Sequence, residues 1–127
     1  MADLLEQASD WLGGMRRTYL SRTATYQRGD DSVEVVAAVG RTVFEIDDGS
    51  GAVVQWESRD FLIAAVDLVM AGEIVEPLPG DQIKEAAGGK VLVYEVMGPG
   101  KERCWRWSDP YRRTLRVHTK QVGTEDG

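Results

Sequence analysis

After residue 20, apolar and polar positions of this chain alternate with a period of two, in short runs separated by glycine, proline and aspartate. Side chains point alternately to the two faces of a β-strand, so the pattern predicts strands. The runs follow one another at intervals of about 8 to 12 residues, a spacing typical of all-β folds. We therefore predict a mainly β protein, a small antiparallel β-barrel or sandwich of about seven strands.

The clearest hairpin is predicted between residues 77 and 97. Proline and glycine in residues 77–80 favour a turn, and a short strand follows at residues 81–85. Gly88-Gly89 permits a second, tight turn because glycine accepts a positive φ. Residues 91–97 hold valines and a tyrosine, which favour a strand. An isolated hairpin is marginally stable in water, so neighbouring strands must pack on this one.

Three further segments each predict a local feature. In residues 33–46 the apolar face changes near Gly40, which predicts a bend or bulge there. The next residues, 47–51, are rich in side-chain oxygens like a calcium loop. They lack the further ligands and the closing glutamate of such a loop, so a hairpin turn is the better interpretation. Residues 59–68 form a short apolar run that fits a strand or a helix, and we predict a strand buried on both faces.

The two ends of the chain differ from its middle. Residues 1–22 carry an apolar stripe at spacings of three and four, which predicts an N-terminal amphipathic helix. Two roles stay open for this helix: covering an open end of the β core, or docking on another subunit. Residues 123–127 are short and acidic and predict a flexible tail. The β-barrel or sandwich domain is therefore predicted to span residues 23–122.

Charge is distributed unevenly around a net charge of -6. Residues 30–85 contain 13 acidic and 3 basic side chains, whereas residues 101–120 contain 7 basic and 2 acidic ones. This asymmetry suits two solvated surfaces, or two faces for side-by-side assembly. Net acidity argues against nonspecific nucleic-acid binding. No apolar run approaches the roughly 20 residues of a membrane span, and the acidic N-terminus argues against export.

The chain offers little for catalysis. Cys104 and His118 are its single cysteine and single histidine, so a Cys-His nucleophile pair is conceivable, but nothing in the sequence brings the two together. A structural zinc site needs about four cysteine or histidine ligands. We therefore predict a protein that is not an enzyme and that uses no metal or cofactor.

Aromatic and basic residues interleave in the segment 103–116. Three interpretations fit this pattern. The indoles can belong to a core strand, the set can form a protein interface, or it can stack and neutralise single-stranded nucleic acid. We predict an interface, with the nucleic-acid module as the alternative. The predicted interface residues are Trp105, Arg106, Trp107, Tyr111, Arg112 and Arg113.

Several segments, in this order and spacing, resemble one known family. They are ESRDFLIAAVDL, PLPGDQIKE, KVLVYEVM and CWRWSDPYRRTLRVHTKQVG. The most specific parts are the Pro-x-x-Gly-Asp-x-Ile turn and strand, the Tyr94-Glu95-Val96 strand and the closing WRWSDPYRRTLRVHTK segment. Over roughly residues 25 to 122 the chain resembles the small head-completion or head–tail joining proteins, of the stopper type, of tailed bacteriophages and prophages.

The resemblance implies a β subunit without enzymatic activity, found in the virion or, as a prophage product, in the bacterial cytoplasm. It implies a subunit that forms a homo-oligomeric ring under the portal and that can be a monomer when isolated. The implied partners are portal or adaptor proteins and tail proteins. DNA would pass nearby without specific binding, and no membrane would be involved. Acidic side chains facing the channel would repel DNA phosphates. The predicted channel-facing residues are Glu45, Asp47 and Asp48.

Overall fold

The computed structural model describes residues 21–126, which form nine β-strands and one short 3-10 turn. The strands are β1 Ser21–Arg28, β2 Asp31–Asp47, β3 Val53–Ala64, β4 Val69–Met70, β5 Glu73–Ile74, β6 Gln82–Ala87, β7 Lys90–Val96, β8 Trp105–Trp107 and β9 Thr114–Asp126. The 3-10 turn covers Ala65–Asp67. The prediction of a mainly β, antiparallel protein is confirmed. The predicted N-terminal helix lies outside the described residues and stays a prediction.

Hairpins at the predicted turns set the strand order. Gly29 joins β1 to β2, and Gly88-Gly89 joins β6 to β7, all with positive φ. Seven strands form one sheet in the order β3-β2-β1-β6-β7-β9-β8, and β4 pairs only with β5. β3 also pairs with β9, so the pairings run in a circuit from β1 through β2, β3, β9, β7 and β6 back to β1.

The inner faces of these strands form the main core. Its members include the completely buried Tyr26, Phe61, Ile63 and Ile83, and the ring of Phe61 meets Tyr94 edge to face at 5.3 Å. Removing this apolar area from water is the main favourable contribution to folding.

β2 and β3 extend beyond the rest of the sheet. β1 pairs with β2 only as far as Ala38, and β9 pairs with β3 only from residue 59 onward, so residues 42–58 pair only with one another. We call this two-stranded projection the arm, and the remaining sheet the body.

Gly40 lies where β2 passes from body to arm. Of the predicted bend or bulge, the bulge is wrong, because the β2–β3 register is constant from Ala37 to Asp47. The predicted change of buried face is confirmed: Val35 is buried on one face, whereas Phe44 on the other face is more buried than its neighbours. The arm buries the face of β2 opposite to the one that the body buries, and this change of face needs no extra residue in the strand. A register shift occurs instead between Val93 and Tyr94.

Two further boundaries differ from expectation. Residues 60–63 are buried on both faces, as predicted, but the strand ends at Ala64 and Val66 in the 3-10 turn is 68% exposed. The predicted tail at residues 123–127 is wrong for its described part, since β9 pairs with β7 as far as Asp126. Cross-strand partners on β7 hold these polar residues in a strand that their own propensity does not favour.

Candidate assembly surfaces

Asp81 organises the turn at the start of β6. Its carboxylate accepts hydrogen bonds from the Tyr26 hydroxyl, from Arg28 Nε at 3.0 Å and Arg28 Nη2 at 2.8 Å, and from the backbone N–H of Leu78 at 3.0 Å. Burial alone raises the pKa of Asp81, but these hydrogen bonds, led by Arg28, outweigh it and lower that pKa. Burial and Asp81 raise the pKa of Tyr26. The aspartate of the Pro-x-x-Gly-Asp-x-Ile motif thus has a structural role.

A second buried aspartate lies on the outer face of β3. Asp60 accepts hydrogen bonds from Thr42, Ser58 and Arg116, the last at 2.6 Å, and His118 Nδ1 lies 2.9 Å from its other oxygen. Burial alone raises the pKa of Asp60, but these neighbours, His118 first, outweigh it and lower that pKa to about 2. The cluster joins β2, β3 and β9 at the base of the arm.

Serine, histidine and aspartate meet in this cluster, but not as a catalytic triad. A triad places the serine at one ring nitrogen of histidine and the acid at the other. Here Ser58 Oγ and Asp60 Oδ1 both face Nδ1 of His118, and Ser58 donates to Asp60. Ser58 is also only 1% exposed. The geometry serves to stabilise the sheet.

The conceivable Cys104-His118 pair is not formed. Cys104 Sγ lies 3.8 Å from the carbonyl oxygen of Pro77, whereas the ring of His118 contacts Asp60. Burial raises the pKa of the Cys104 thiol, the opposite of what a nucleophile needs. His118 lies on the face opposite the main core, where it is only 3% exposed and its ring meets the Phe44 ring edge to face at 5.0 Å.

The segment between β7 and β8 is a pinched loop. The N–H of Met97 donates to the His118 carbonyl, and the N–H of His118 donates to the Cys104 carbonyl, so both ends of the loop are bound to one residue of β9. A Cβ on Gly98 would lie 2.2 Å from the Glu102 carbonyl oxygen, and one on Gly100 would lie 3.7 Å from Ile46. Only glycine fits at this neck, and the loop lies against the arm.

A charged cluster lies on the inner face of the sheet, near the point where β3 and β9 separate. Glu85, 3% exposed, accepts from Arg22 at 2.6 Å and from Arg59 at 2.9 Å. The Arg59 guanidinium also lies 5.0 Å from the centre of the Tyr94 ring. This cluster and the Asp60 cluster leave no signal in the sequence. An acidic residue on a strand is ordinarily solvated, so its position alone does not indicate a buried ion pair.

The predicted interface residues divide into two groups. Trp105 is 7% exposed in the main core, and Trp107 packs against that core with its ring 5.2 Å from Trp105, edge to face. Tyr111 is half-buried. The exposed members are the cations Arg106, Arg112 and Arg113.

Asp109 shapes the loop that carries these cations. Its carboxylate accepts from the backbone N–H groups of Tyr111, Arg113 and Thr114 at 2.8 to 3.2 Å. Arg112 has a φ of 58°, a left-handed conformation uncommon for a residue with a side chain. The loop therefore has a defined shape.

The predicted channel-facing residues lie at the end of the arm. Glu45, Asp47 and Asp48 are all exposed. Because side chains alternate, Glu45 and Asp47 point away from the face on which Ile46 meets the β7–β8 loop. The acidic side chains of β2 therefore lie on the face of the arm opposite Ile46.

Two negative findings apply to residues 21–126. No group of three or more histidine, cysteine or acidic residues is placed to hold a metal ion. None of these residues belongs to a helix long and apolar enough to cross a membrane.

The family model described as phage head-tail joining protein matches residues 2–126. No curated protein matches the chain.

Proposed function

Since the chain belongs to the phage head-tail joining protein family, we propose that it is a connector-ring subunit that closes or extends the portal channel and docks the tail. The family match over residues 2–126 is the observation that carries this proposal. The chain is a structural phage protein, and its family implies contacts with head and tail components. Proteins of this family are generally non-enzymatic. We place the chain in the virion, or in the bacterial cytoplasm before assembly.

The circuit of strand pairings supports a sheet that closes as a small barrel. Such a body is a rigid unit, and ion-paired clusters lie at both ends of its inner face, around Asp81 and around Glu85. A ring subunit needs this rigidity, because each copy must present the same two surfaces to its neighbours.

The ring requires two different side surfaces, since heterologous contacts close a ring. We assign one to the exposed cations of the β8–β9 region, Arg106, Arg112 and Arg113. The partly buried Trp107 and Tyr111 belong to the same surface, and the buried Trp105 packs against Trp107. We assign the acidic end of the arm to the DNA channel, where Glu45, Asp47 and Asp48 repel the phosphates of the passing genome. The isolated chain is a monomer until portal and tail proteins provide the template.

Charge reversal tests both assignments. Glu45→Lys/Asp47→Lys/Asp48→Lys should reduce DNA passage or infectivity, and Arg106→Glu/Arg112→Glu should reduce incorporation into particles. Lys90→Glu, also exposed but at the start of β7 next to the Gly88-Gly89 turn, is the control. Particles with normal composition and infectivity from both variants would contradict these assignments.

A gel shift with single-stranded DNA separates this function from the nucleic-acid module. Trp105 is buried, so a base cannot stack on its face. We expect no retardation of the DNA at physiological salt. Retardation that weakens steeply with added salt would favour the nucleic-acid module.

A further inference from the structure

Two strand edges become free where β3 and β9 separate. The last pair between them is Arg59 with Thr119; beyond it β3 continues into the arm beside β2, and β9 continues beside β7. In the part of the chain that the structure describes, residues 53–58 of β3 and residues 120–126 of β9 therefore have no strand on the sides that face each other. We call this opening the fork.

The fork contains a cavity of about 580 Å³. Ser58 and Arg59 line it from β3, Thr119 and Gln121 line it from β9, and Tyr94 lies in its lining from β7. Val39, Gly40 and Arg41 of β2 line it as well, so the cavity reaches from the two diverging backbones across the base of the arm and offers room for an extended segment.

A third free edge lies on the opposite side of the arm. β1 stops pairing with β2 at Ala38, so residues 39–47 have no partner on that side among the described residues. The arm thus has one open edge on β2 and another on β3.

These edges are apolar to an unusual degree. Seven large hydrophobic side chains in residues 21–126 are half or more exposed, and four of them lie on the three open edges. They are Val43 on β2, Val53 and Val54 on β3, and Val122 on β9. Natural proteins usually protect exposed edges with charge, proline or a covering loop, because an open apolar edge recruits another strand.

We propose that the fork receives the β2 edge of a second copy of this chain, so that neighbouring arms pair edge to edge around the ring. This inference rests on the proposed function. The entering edge is acidic, with Glu45 and Asp47, whose backbone pairs while their side chains stay on the face turned to the channel. The cavity at the fork is lined by three cations, Arg41, Arg59 and Lys120, and by one acidic residue, Glu57. The contact joins two different surfaces, as ring closure requires.

Rotational symmetry fixes the direction of this pairing. Rotation about the ring axis leaves the axial direction of every arm the same, so at the contact between adjacent copies β2 of one runs from body to tip beside a β3 that runs from tip to body. The new pair is therefore antiparallel, as β2 and β3 already are within one arm.

Cysteine cross-linking in assembled particles tests the contact. Val43→Cys is combined with Val53→Cys or with Val54→Cys. Within one chain Val43 faces Glu57, at least three residues away from either partner, too far for an internal disulfide. We expect at least one of the two double variants to give a ladder of oligomers on a non-reducing gel after oxidation.

Val43→Cys/Val66→Cys is the matched control, because Val66 is as exposed as Val53 but lies in the 3-10 turn. The wild type controls for Cys104. A ladder equal to that of the control, or no ladder from chains present in the particles, overturns the inference and leaves the proposed function standing. Cross-links to another virion protein also overturn it. Absence of the wild-type chain from particles contradicts the proposed function itself.

Discussion

β2 and β3 run through both the body and the arm, and the two regions use the same strands differently. In the body, residues 59–63 of β3 have β2 on one side and β9 on the other, and Phe61 and Ile63 are completely buried. In the arm, among the described residues, β2 and β3 pair only with each other, and Val53 is 65% exposed. A two-stranded sheet alone is marginal in water. The arm is therefore held by contacts at its base, and it keeps backbone groups free for a neighbour.

The Asp60 cluster connects the two regions, so its removal should have the largest effect. Asp60→Ala leaves Arg116 and His118 without their buried carboxylate and should cost about 3–5 kcal/mol of unfolding free energy. Urea unfolding measures this. Asp48→Ala, which removes an exposed aspartate at the arm end, should cost far less. Equal losses would show that the cluster does not stabilise the sheet.

Acid should weaken the same connection. Because the pKa of Asp60 is lowered from 3.8 to about 2 in the folded protein, its stabilisation is complete above pH 4 and is lost as the pH falls through 2. The stability advantage of the wild type over Asp60→Asn should therefore shrink by about 2 kcal/mol between pH 5 and pH 2. An advantage that does not change with pH would contradict the assignment.

The pinched loop offers a smaller change at the contact between body and arm. Gly98→Ala places a methyl group against the Glu102 carbonyl and should cost about 1–3 kcal/mol as the loop shifts. Gly123→Ala is the control, since a Cβ there meets nothing within 4 Å. Thermal unfolding of both variants measures the difference, and equal melting temperatures would mean that the neck is not tight.

The arm edges should tolerate change in the isolated chain. Val53→Lys/Val54→Lys should alter the unfolding free energy by no more than about 0.5 kcal/mol per substitution, because both side chains are exposed. Circular dichroism with urea checks this. A loss as large as that of Gly98→Ala would mean that these valines belong to the fold.

Period-two alternation and glycine turns were enough to predict the strands, because both depend on local geometry. The Gly88-Gly89 hairpin and the change of face in β2 followed from them. Alternation assigns a residue to a face but does not tell what covers that face. Alternation in β9 puts His118 on the outer face, but the pattern does not tell that Phe44 of the arm packs against it there.

The acidic residues show the same limit. Asp60, Asp81 and Glu85 belong to the acidic stretch of the sequence, yet all three are buried and bound by arginines from distant strands. Ion pairs between strands 26 to 63 residues apart leave no periodic signal. The motif pointed to Asp81, and nothing comparable pointed to Asp60.

Hydrogen exchange, measured on the isolated chain and on the chain in assembled particles, tests the difference between body and arm most directly. We expect the amides of the body to be protected in both states, and those of residues 39–47, 53–58 and 120–126 to become protected only in particles. Unchanged exchange along these edges, or new protection spread over the body, would contradict the division into a rigid body and an arm that pairs on assembly.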